Sequence, residues 1–337
     1  MNLSEIRKAA REKLKGSCRV CPVCDGRACS GEVPGMGGAG TGCGFRANLE
    51  ALEQYRLNLR TLHNAKDPQT HCHIFGLSLK TPVLAAPITG TTYNMGGALS
   101  EREFIGMIIS GSLLAGSLGF SGDGADPTMY GAGVEAVASE KGWGVPVIKP
   151  REQHEVIKRI RKAEAAGAVA VGMDIDGAGL VTMALKGQPV GPKTPAELSD
   201  IVSATRLPFI VKGIMTADEA GIAVDAGAAA IVVSNHGGRI LDHTPGAAEV
   251  LPEIAAAVKG KAAILADGGI RSGVDVLKLL ALGADAVLVG RPLVIGAFGG
   301  GAEGVRQVIN QLTEQLKQAM LLTGCGSLGE ITRKVLL

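Results

Sequence analysis

The chain has 337 residues, of which 46% are hydrophobic and 20% are charged. Its 34 basic and 32 acidic residues leave a net charge of +2, a balance that argues against nucleic acid or a membrane surface as the main partner. The first residues form no unbroken apolar segment, and no run approaches about 18 consecutive apolar residues. We therefore expect a cytoplasmic protein without a membrane span.

Residues 1–79 are predicted to form an N-terminal extension. An apolar helical face runs over 3–14, a second helix is expected near 46–57, and a short strand pair is expected at 72–80. A cysteine cluster and a glycine-rich passage lie between the two helices. We expect this extension to cover the bottom or the rim of the main domain rather than to fold alone.

From about residue 80 onward, short apolar runs alternate with helical stretches. The predicted strands are 82–87, 112–118, 145–149, 169–175, 208–213, 230–234, 263–266 and 286–290. The predicted helices are 98–109, 127–140, 152–166, 195–204, 216–226, 246–259, 272–283 and 303–321. Eight such pairs over about 250 residues predict a (β/α)8 TIM barrel that occupies 80–337. The alternative, an open doubly wound sheet, requires a glycine-rich phosphate loop after its first strand, and APITGTT does not fit that pattern.

Two loops late in the chain have the composition of an anion site. DGGIR at 267–271 follows the seventh predicted strand, and GRP at 290–292 follows the eighth. These are the loops with which barrels commonly bind phosphate. Glycines let backbone N–H groups approach an anion, and arginines add charge and paired donors. The sequence therefore predicts phosphate binding, with simple tight turns as the alternative.

Charged side chains also end two neighbouring predicted strands. His236 follows the sixth strand, Arg239 lies three residues further on, and Lys212 ends the fifth. A histidine at this end of a barrel can act as a general base, and an arginine can hold a carboxylate. A lysine beside a cofactor can stabilise developing negative charge. The alternatives are a packed histidine, a surface ion pair and a lysine that reaches solvent.

Three segments, SNHGGRILD, LADGGIRSGVDVLKLLALGADAVLVGRP and FIVKGI, resemble the FMN-dependent α-hydroxy-acid oxidase and dehydrogenase family. The resemblance is strong over 205–297, moderate over 37–90 and weak over 91–200. It implies an FMN-binding barrel that oxidises a 2-hydroxy acid of the lactate or glycolate type to the 2-oxo acid. Two alternatives stay open: a flavin barrel with another substrate, either isomerase-like or another oxidoreductase, and an FMN-binding module without turnover.

The resemblance also implies roles for individual residues. His236 is expected to be the base, Arg239 to pair with the substrate carboxylate, and Asp174 to support the charge of the histidine. The expected FMN contacts are Pro87, Ile88, Thr89, Lys212, Ser234, Asp267, Gly268, Gly269, Arg271, Gly290 and Arg291. The family further implies a homotetramer or larger assembly, and an electron acceptor that is oxygen or a redox carrier.

The substrate half of the site departs from the family pattern. Pro34 stands where a tyrosine is expected, and a second expected tyrosine is absent from 144–149. The loop after the fourth strand contains Lys186 and Lys193 but no second carboxylate-binding arginine. Two arginines clamp a carboxylate better than one, so the identity of the substrate is in question. Tyr93, after the first strand, is a further candidate for a substrate contact.

Four of the seven cysteines follow one another closely, in the pattern Cys18-x2-Cys21-x2-Cys24-x4-Cys29. This spacing is similar to that of ferredoxin-type iron–sulfur proteins, although the final Cys-Pro is missing. Cys-x2-Cys pairs also bind zinc. Redox-active thiols and reduced cysteines without a cofactor are the remaining alternatives. An iron–sulfur centre would suit an enzyme that passes flavin electrons to a carrier rather than to oxygen.

Overall fold

Eight parallel strands close into a barrel in the computed structural model, which describes residues 1–337. The strands are Cys72–Ile74 (β1), Leu77–Leu79 (β2), Val83–Ile88 (β3), Gly119–Ser121 (β4), Val145–Ile148 (β5), Val171–Asp174 (β6), Phe209–Ile214 (β7), Ala230–Val233 (β8), Ala263–Ala266 (β9) and Ala286–Val289 (β10). β3 to β10 form the barrel in chain order, and β10 pairs with β3 to close it. The predicted (β/α)8 fold is confirmed.

Helices follow the barrel strands and cover their outer faces. The helices are Leu3–Lys13 (α1), Cys43–Glu53 (α2), Thr91–Asn94 (α3), Glu101–Leu114 (α4), Pro127–Ser139 (α5), Gln153–Ala165 (α6), Val181–Leu185 (α7), Pro195–Ser203 (α8), Ala217–Asp225 (α9), Ala247–Val258 (α10), Gly273–Ala281 (α11) and Arg291–Thr323 (α12). None of these helices combines the length and the apolarity that a membrane crossing requires.

The alternation of side chains along each strand explains both the core and the site. Buried apolar side chains such as Ile210 and Val232 fill the barrel interior, while their neighbours pack against the helices. Because side chains two residues apart share a face, this alternation brings Lys212 to the inner face at the carboxyl end of β7. Asp174 on β6 and Asp267 after β9 reach the same layer in the same way. The upper layer of the barrel interior is therefore charged.

The second predicted strand, 112–118, is wrong. Residues up to Leu114 continue α4, which begins with a capping box between Ser100 and Glu103, and the strand itself is Gly119–Ser121. A short apolar run has no periodicity that separates a strand from the end of a buried helix, and this strand has only three residues. Gly116 adopts a left-handed φ of +70° just after the helix, which is the local signal for its end.

Two helix boundaries also differ from the prediction. α2 begins at Cys43, directly after Gly42 in a left-handed conformation, rather than near residue 46. The last helix begins at Arg291 rather than at 303, and it is interrupted at Gly301, whose φ of 62° and ψ of −150° are not helical. The predicted segment 303–321 corresponds to the part of α12 after this break.

The N-terminal extension contacts both ends of the barrel. The β1–β2 hairpin contributes Ile74 and Leu79 to the apolar cluster that fills the barrel interior. At the opposite end, the Ala39 N–H donates to the Gly238 carbonyl at 2.8 Å, and Asn48 on α2 donates to Asn235 at 2.8 Å. The extension thus reaches the end of the barrel that carries the charged layer.

Candidate active site

A cleft of about 1050 Å³, partly open to solvent, lies at the carboxyl ends of the barrel strands. The residues singled out from the sequence that line it are Pro87, Ile88, Thr89, Tyr93, Asp174, Lys212, His236, Arg239, Asp267, Gly268, Gly269, Arg271, Gly290 and Arg291. Ser234 lies behind this lining, where its hydroxyl accepts hydrogen bonds from the Lys212 ammonium and from the His236 N–H. The cleft therefore gathers residues from loops that are far apart in the chain.

Two lysines enclose a buried carboxylate at the base of the cleft. Lys149 Nζ lies 2.5 Å from one oxygen of Asp174, and Lys212 Nζ lies 3.2 Å from the other. Burial raises the pKa of Asp174, but the charges of His236, Lys149 and Lys212 outweigh burial and hold that pKa well below its ordinary value. Burial lowers the pKa of Lys212, yet Asp174 and Asp267 raise it above its ordinary value. The Asp174 carboxyl and the Lys212 ammonium are therefore charged at neutral pH.

His236 is held by carboxylates on its Nδ1 side. Nδ1 lies 3.1 and 3.2 Å from the two oxygens of Asp176 and 3.5 Å from Asp174. The residue has a left-handed φ of 57°, an uncommon conformation for a non-glycine residue and one that is concentrated at functional sites. With Nδ1 turned to the carboxylates, Nε2 is the nitrogen that remains for a substrate.

The sequence singled out Asp174 as the partner of the histidine, and the structure places Asp176 closer. Asp174 is shared among His236 and two lysines, whereas Asp176 faces the imidazole with both oxygens. The D-I-D pattern at 174–176 was the available signal, because alternate residues at the end of a strand share a face. Asp176 lies just beyond the strand, in a short 3-10 turn, so the strand pattern alone does not place its side chain.

Lys149, which the sequence did not single out, also lines the cleft, beside Asp174. Lys186 is exposed and Lys193 is half-buried, and neither lines the cleft. Tyr93 lines it, with its hydroxyl 3.4 Å from the Met129 sulfur. Burial raises the pKa of Tyr93 to about 12, so its phenol stays protonated.

Arg239 lines the cleft, but its donors are turned to the N-terminal extension. Its guanidinium donates to the carbonyl of Gly35, to that of Gly37 at 3.3 Å, and to the Asn94 side chain at 3.0 Å. Burial lowers its pKa to about 10, which still leaves it cationic at neutral pH. The extension therefore holds the arginine that the sequence assigned to the substrate carboxylate.

Arg271 and Arg291 form the cationic end of the cleft together with Arg239. Arg291 donates to the Met36 carbonyl at 2.8 Å and lies over the Phe45 ring at 3.9 Å. Arg271 donates to the Cys24 carbonyl at 3.1 and 3.2 Å. Burial and the charges of the other two arginines lower the pKa of Arg291 to about 9. Because these hydrogen bonds go to neutral acceptors, this end of the cleft has an excess of positive charge.

The cleft has the features that a flavin mononucleotide needs. The guanidinium groups of Arg271 and Arg291 suit a phosphate, and the glycines of the DGGIR loop allow close approach. Gly268 has a φ of +94°, and a Cβ there would overlap the Asn48 side chain, so the loop requires glycine. The buried Asp267 Oδ1 has no hydrogen-bond partner in the protein, which leaves it free to accept from a ligand hydroxyl. These residues fit FMN.

Comparison with known proteins gives one consistent result. The model of the FMN-dependent dehydrogenase family matches residues 35–184 and 181–337. An L-lactate oxidase of Lactobacillus jensenii is 32% identical over 319 residues, which cover 85% of this chain and 76% of that protein. An L-lactate oxidase of Nostoc sp. is 52% identical over 135 residues, 40% of this chain and 37% of that protein.

A solved structure of mandelate oxidase with (S)-2-phenylpropionate superposes with a TM-score of 0.77 and 31% sequence identity, covering 99% of this chain and 97% of that one. The family match spans both the strands and the loops that build the cleft. The chain belongs to the FMN-dependent dehydrogenase family.

Proposed function

We propose that this protein oxidises a 2-hydroxy acid to the corresponding 2-oxo acid with FMN as the electron acceptor. The observation that carries the proposal is the imidazole of His236, held by Asp176 and Asp174 at the edge of a cleft that fits FMN. The relatives named above are oxidases of lactate and mandelate, both of which are 2-hydroxy acids. Those names support the substrate class and leave the individual acid open.

In this proposal, His236 takes the proton of the substrate hydroxyl at Nε2. The imidazolium that forms is stabilised by the two carboxylates beside Nδ1, an arrangement that makes a histidine an effective general base. FMN, when bound, supplies the two-electron acceptor for the substrate carbon. Lys212, buried beside Asp267, provides a fixed positive charge close to where negative charge would develop.

Lys149 and Arg239 are the cations proposed to receive the substrate carboxylate. Lys149 lies in the charged layer, and Arg239 lies on the opposite side of the cleft, beside Asn94. A lysine binds as a point charge and lacks the paired donors of an arginine. We therefore expect weaker control over carboxylate orientation here than in a site with two arginines.

Anaerobic bleaching of the flavin tests this proposal directly. FMN-loaded protein is mixed with glycolate, L-lactate and (S)-mandelate in the absence of oxygen, and the yellow flavin absorption is followed. Loss of colour with at least one of these acids is the expected result. A spectrum that no 2-hydroxy acid changes would contradict the proposal and favour an isomerase-like or non-catalytic flavin protein. An assembly of four or more copies, and the final electron acceptor, stay predictions at this point.

A further inference from the structure

Four cysteines of the N-terminal extension line a second cavity that the proposed oxidation does not use. Cys18, Cys21, Cys24 and Cys29 line a small cavity next to the flavin cleft. All four are half-buried free thiols with no disulfide partner. Cys43, the next cysteine along the chain, does not line this space. The cavity is therefore lined by all four cysteines of the closely spaced motif and not by Cys43.

The loop that carries these cysteines is held in an unusual shape by α1. Val20 is fully buried and has a left-handed φ of 47°, a strained conformation for a β-branched residue. Arg7 donates to the Cys21 carbonyl at 2.6 Å, and Arg11 donates to the Val20 carbonyl at 3.0 Å. The carbonyls are thus turned toward α1. The Val20 N–H donates instead to the Cys18 sulfur at 3.4 Å, so one sulfur already has the kind of donor that surrounds metal-bound thiolates.

The same arginines border this cavity and the flavin cleft. Arg291 lines both spaces, and Arg271 donates to the Cys24 carbonyl and, at 3.4 Å, to the Cys24 sulfur. The four thiols therefore lie in a positively charged surrounding that also adjoins the cationic end of the flavin cleft.

We propose that Cys18, Cys21, Cys24 and Cys29 bind a [4Fe–4S] cluster. A single zinc ion with four thiolates at about 2.3 Å would bring the sulfur atoms to about 3.8 Å from one another. No three of these sulfur atoms lie within 4.8 Å of each other. A four-iron cluster takes four cysteine thiolates and holds them farther apart than one ion does. The separation of the sulfur atoms therefore favours the cluster over zinc.

Such a cluster would give the reduced flavin a route for transferring single electrons, here called the outlet. This consequence rests on the proposed function. Oxidation of one 2-hydroxy acid releases two electrons and two protons. The cluster would accept one electron at a time and pass it to a one-electron carrier protein, so two transfers balance one turnover, and the protons leave to solvent. Cys24 contacts Arg271, which lines the flavin cleft.

Iron and sulfide analysis tests the cluster itself without any hydroxy acid. The full chain is purified without oxygen, or reconstituted with ferrous iron and sulfide. We expect about four iron and four sulfide per chain, visible absorption beyond that of the flavin, and an electron paramagnetic resonance signal after reduction with dithionite. Stoichiometric zinc, or FMN-loaded protein that takes up no iron, would overturn the proposal.

Two serine variants locate the cluster. Cys29→Ser is expected to lose at least half of the iron and the resonance signal, whereas the matched variant Cys43→Ser keeps both. FMN content shows that each variant is folded, and Cys21→Ser replaces Cys29→Ser if that protein loses FMN. Equal iron in the Cys29→Ser and Cys43→Ser proteins would contradict the assignment.

The outlet is tested with cytochrome c as a one-electron acceptor. Flavin is first fully reduced with dithionite in each protein, and its reoxidation by cytochrome c is timed. At least tenfold slower transfer is expected in Cys29→Ser than in Cys43→Ser, and equal rates would exclude the outlet. If the iron and sulfide are present but no hydroxy acid bleaches the flavin, the proposed function fails while the cluster stands.

Discussion

The two halves of the barrel mouth hold their charges in different ways. After β5, β6 and β7, Lys149 and Lys212 share the carboxylate of Asp174 through contacts of 2.5 and 3.2 Å. Asp176, just after β6, adds a second carboxylate, so that two cations face two anions. After β9 and β10, the guanidinium groups of Arg271 and Arg291 donate to neutral carbonyls, so that their positive charges are not balanced by carboxylates. A half with surplus positive charge is suited to receive an anion, and a half with balanced charges is suited to orient a base and a substrate. The cofactor and the chemistry therefore belong to different sides of one cleft.

The largest expected effect lies between the halves, at the proposed base. His236→Gln removes the proton acceptor but leaves every cation of both halves in place. General-base catalysis contributes about 10²- to 10⁴-fold, so the rate of anaerobic flavin bleaching should fall by a factor in that range. FMN affinity, measured by quenching of flavin fluorescence, should stay within a few-fold of the parent. Bleaching within tenfold of the parent rate would remove His236 from the role of base.

Comparing Asp174 and Asp176 separates the roles of the two carboxylates in the half with balanced charges. Asp176→Asn weakens the charge beside Nδ1 of His236, and we expect bleaching to slow by about 10- to 100-fold with little change in stability. Asp174→Asn leaves two buried lysines without their carboxylate, and breaking such a pair typically costs about 3–5 kcal/mol. Urea unfolding measures the second effect. Equal losses of stability in both variants would show that Asp174 does not contribute more to stability than Asp176.

The excess positive charge of the half with Arg271 and Arg291 is tested by removing one cation from each half of the barrel mouth. Arg271→Ala deletes a charge-assisted contact to the proposed phosphate, worth about 1.5–3 kcal/mol, so the Kd for FMN should rise by about 10- to 100-fold. Lys149→Met removes a cation from the balanced half and should raise the KM for the hydroxy acid more than the Kd for FMN. If both variants weakened FMN equally, the two halves would share one function.

The sequence predicted the residues of the positively charged half, with Arg271 and Arg291, better than those of the half with balanced charges, with Lys149, Asp174 and Lys212. The reason is physical. DGGIR and GRP carry glycines and arginines whose use at adjacent strand ends follows from the barrel topology alone. Lys149 and Asp176 are single charged residues after strands, and their value depends on which side chain faces them across the cleft. That information lies in the three-dimensional packing and leaves no periodic signal in the chain.

The same distinction holds for the fold. Seven of the eight predicted barrel strands overlap observed ones because buried parallel strands give continuous apolar runs between helices. The failure at 112–118 arose where a helix was apolar to its end and the strand that followed was only three residues long. The sequence placed the N-terminal extension at the bottom or the rim of the barrel, but it did not show which residues make the contact, since that depends on hydrogen bonds such as the one from Ala39 to Gly238.

The smallest expected effect concerns the hydrogen bonds that attach the N-terminal extension to the loop after β8. The Asp242 carboxylate accepts hydrogen bonds from the Thr41 N–H at 2.5 Å, the Thr41 hydroxyl at 2.8 Å and the Gly44 N–H at 3.3 Å. Partial burial raises the pKa of Asp242, but these donors and the His243 N–H outweigh burial and hold the pKa well below its ordinary value. A carboxyl whose pKa is depressed on folding stabilises the folded state in its ionised form.

This stabilisation is complete above the ordinary aspartate pKa of about 4 and is lost as the pH falls through the lower value of the folded protein. Asp242→Asn should therefore reduce the free energy of unfolding by about 1–2 kcal/mol at pH 7 and pH 5, with a smaller difference from the parent below pH 4. Urea titrations at these pH values measure it, with Asp200→Asn, an exposed aspartate on α8, as the matched loss of charge. A difference that grows as the pH falls would show that Asp242 does not fasten the extension as a carboxylate.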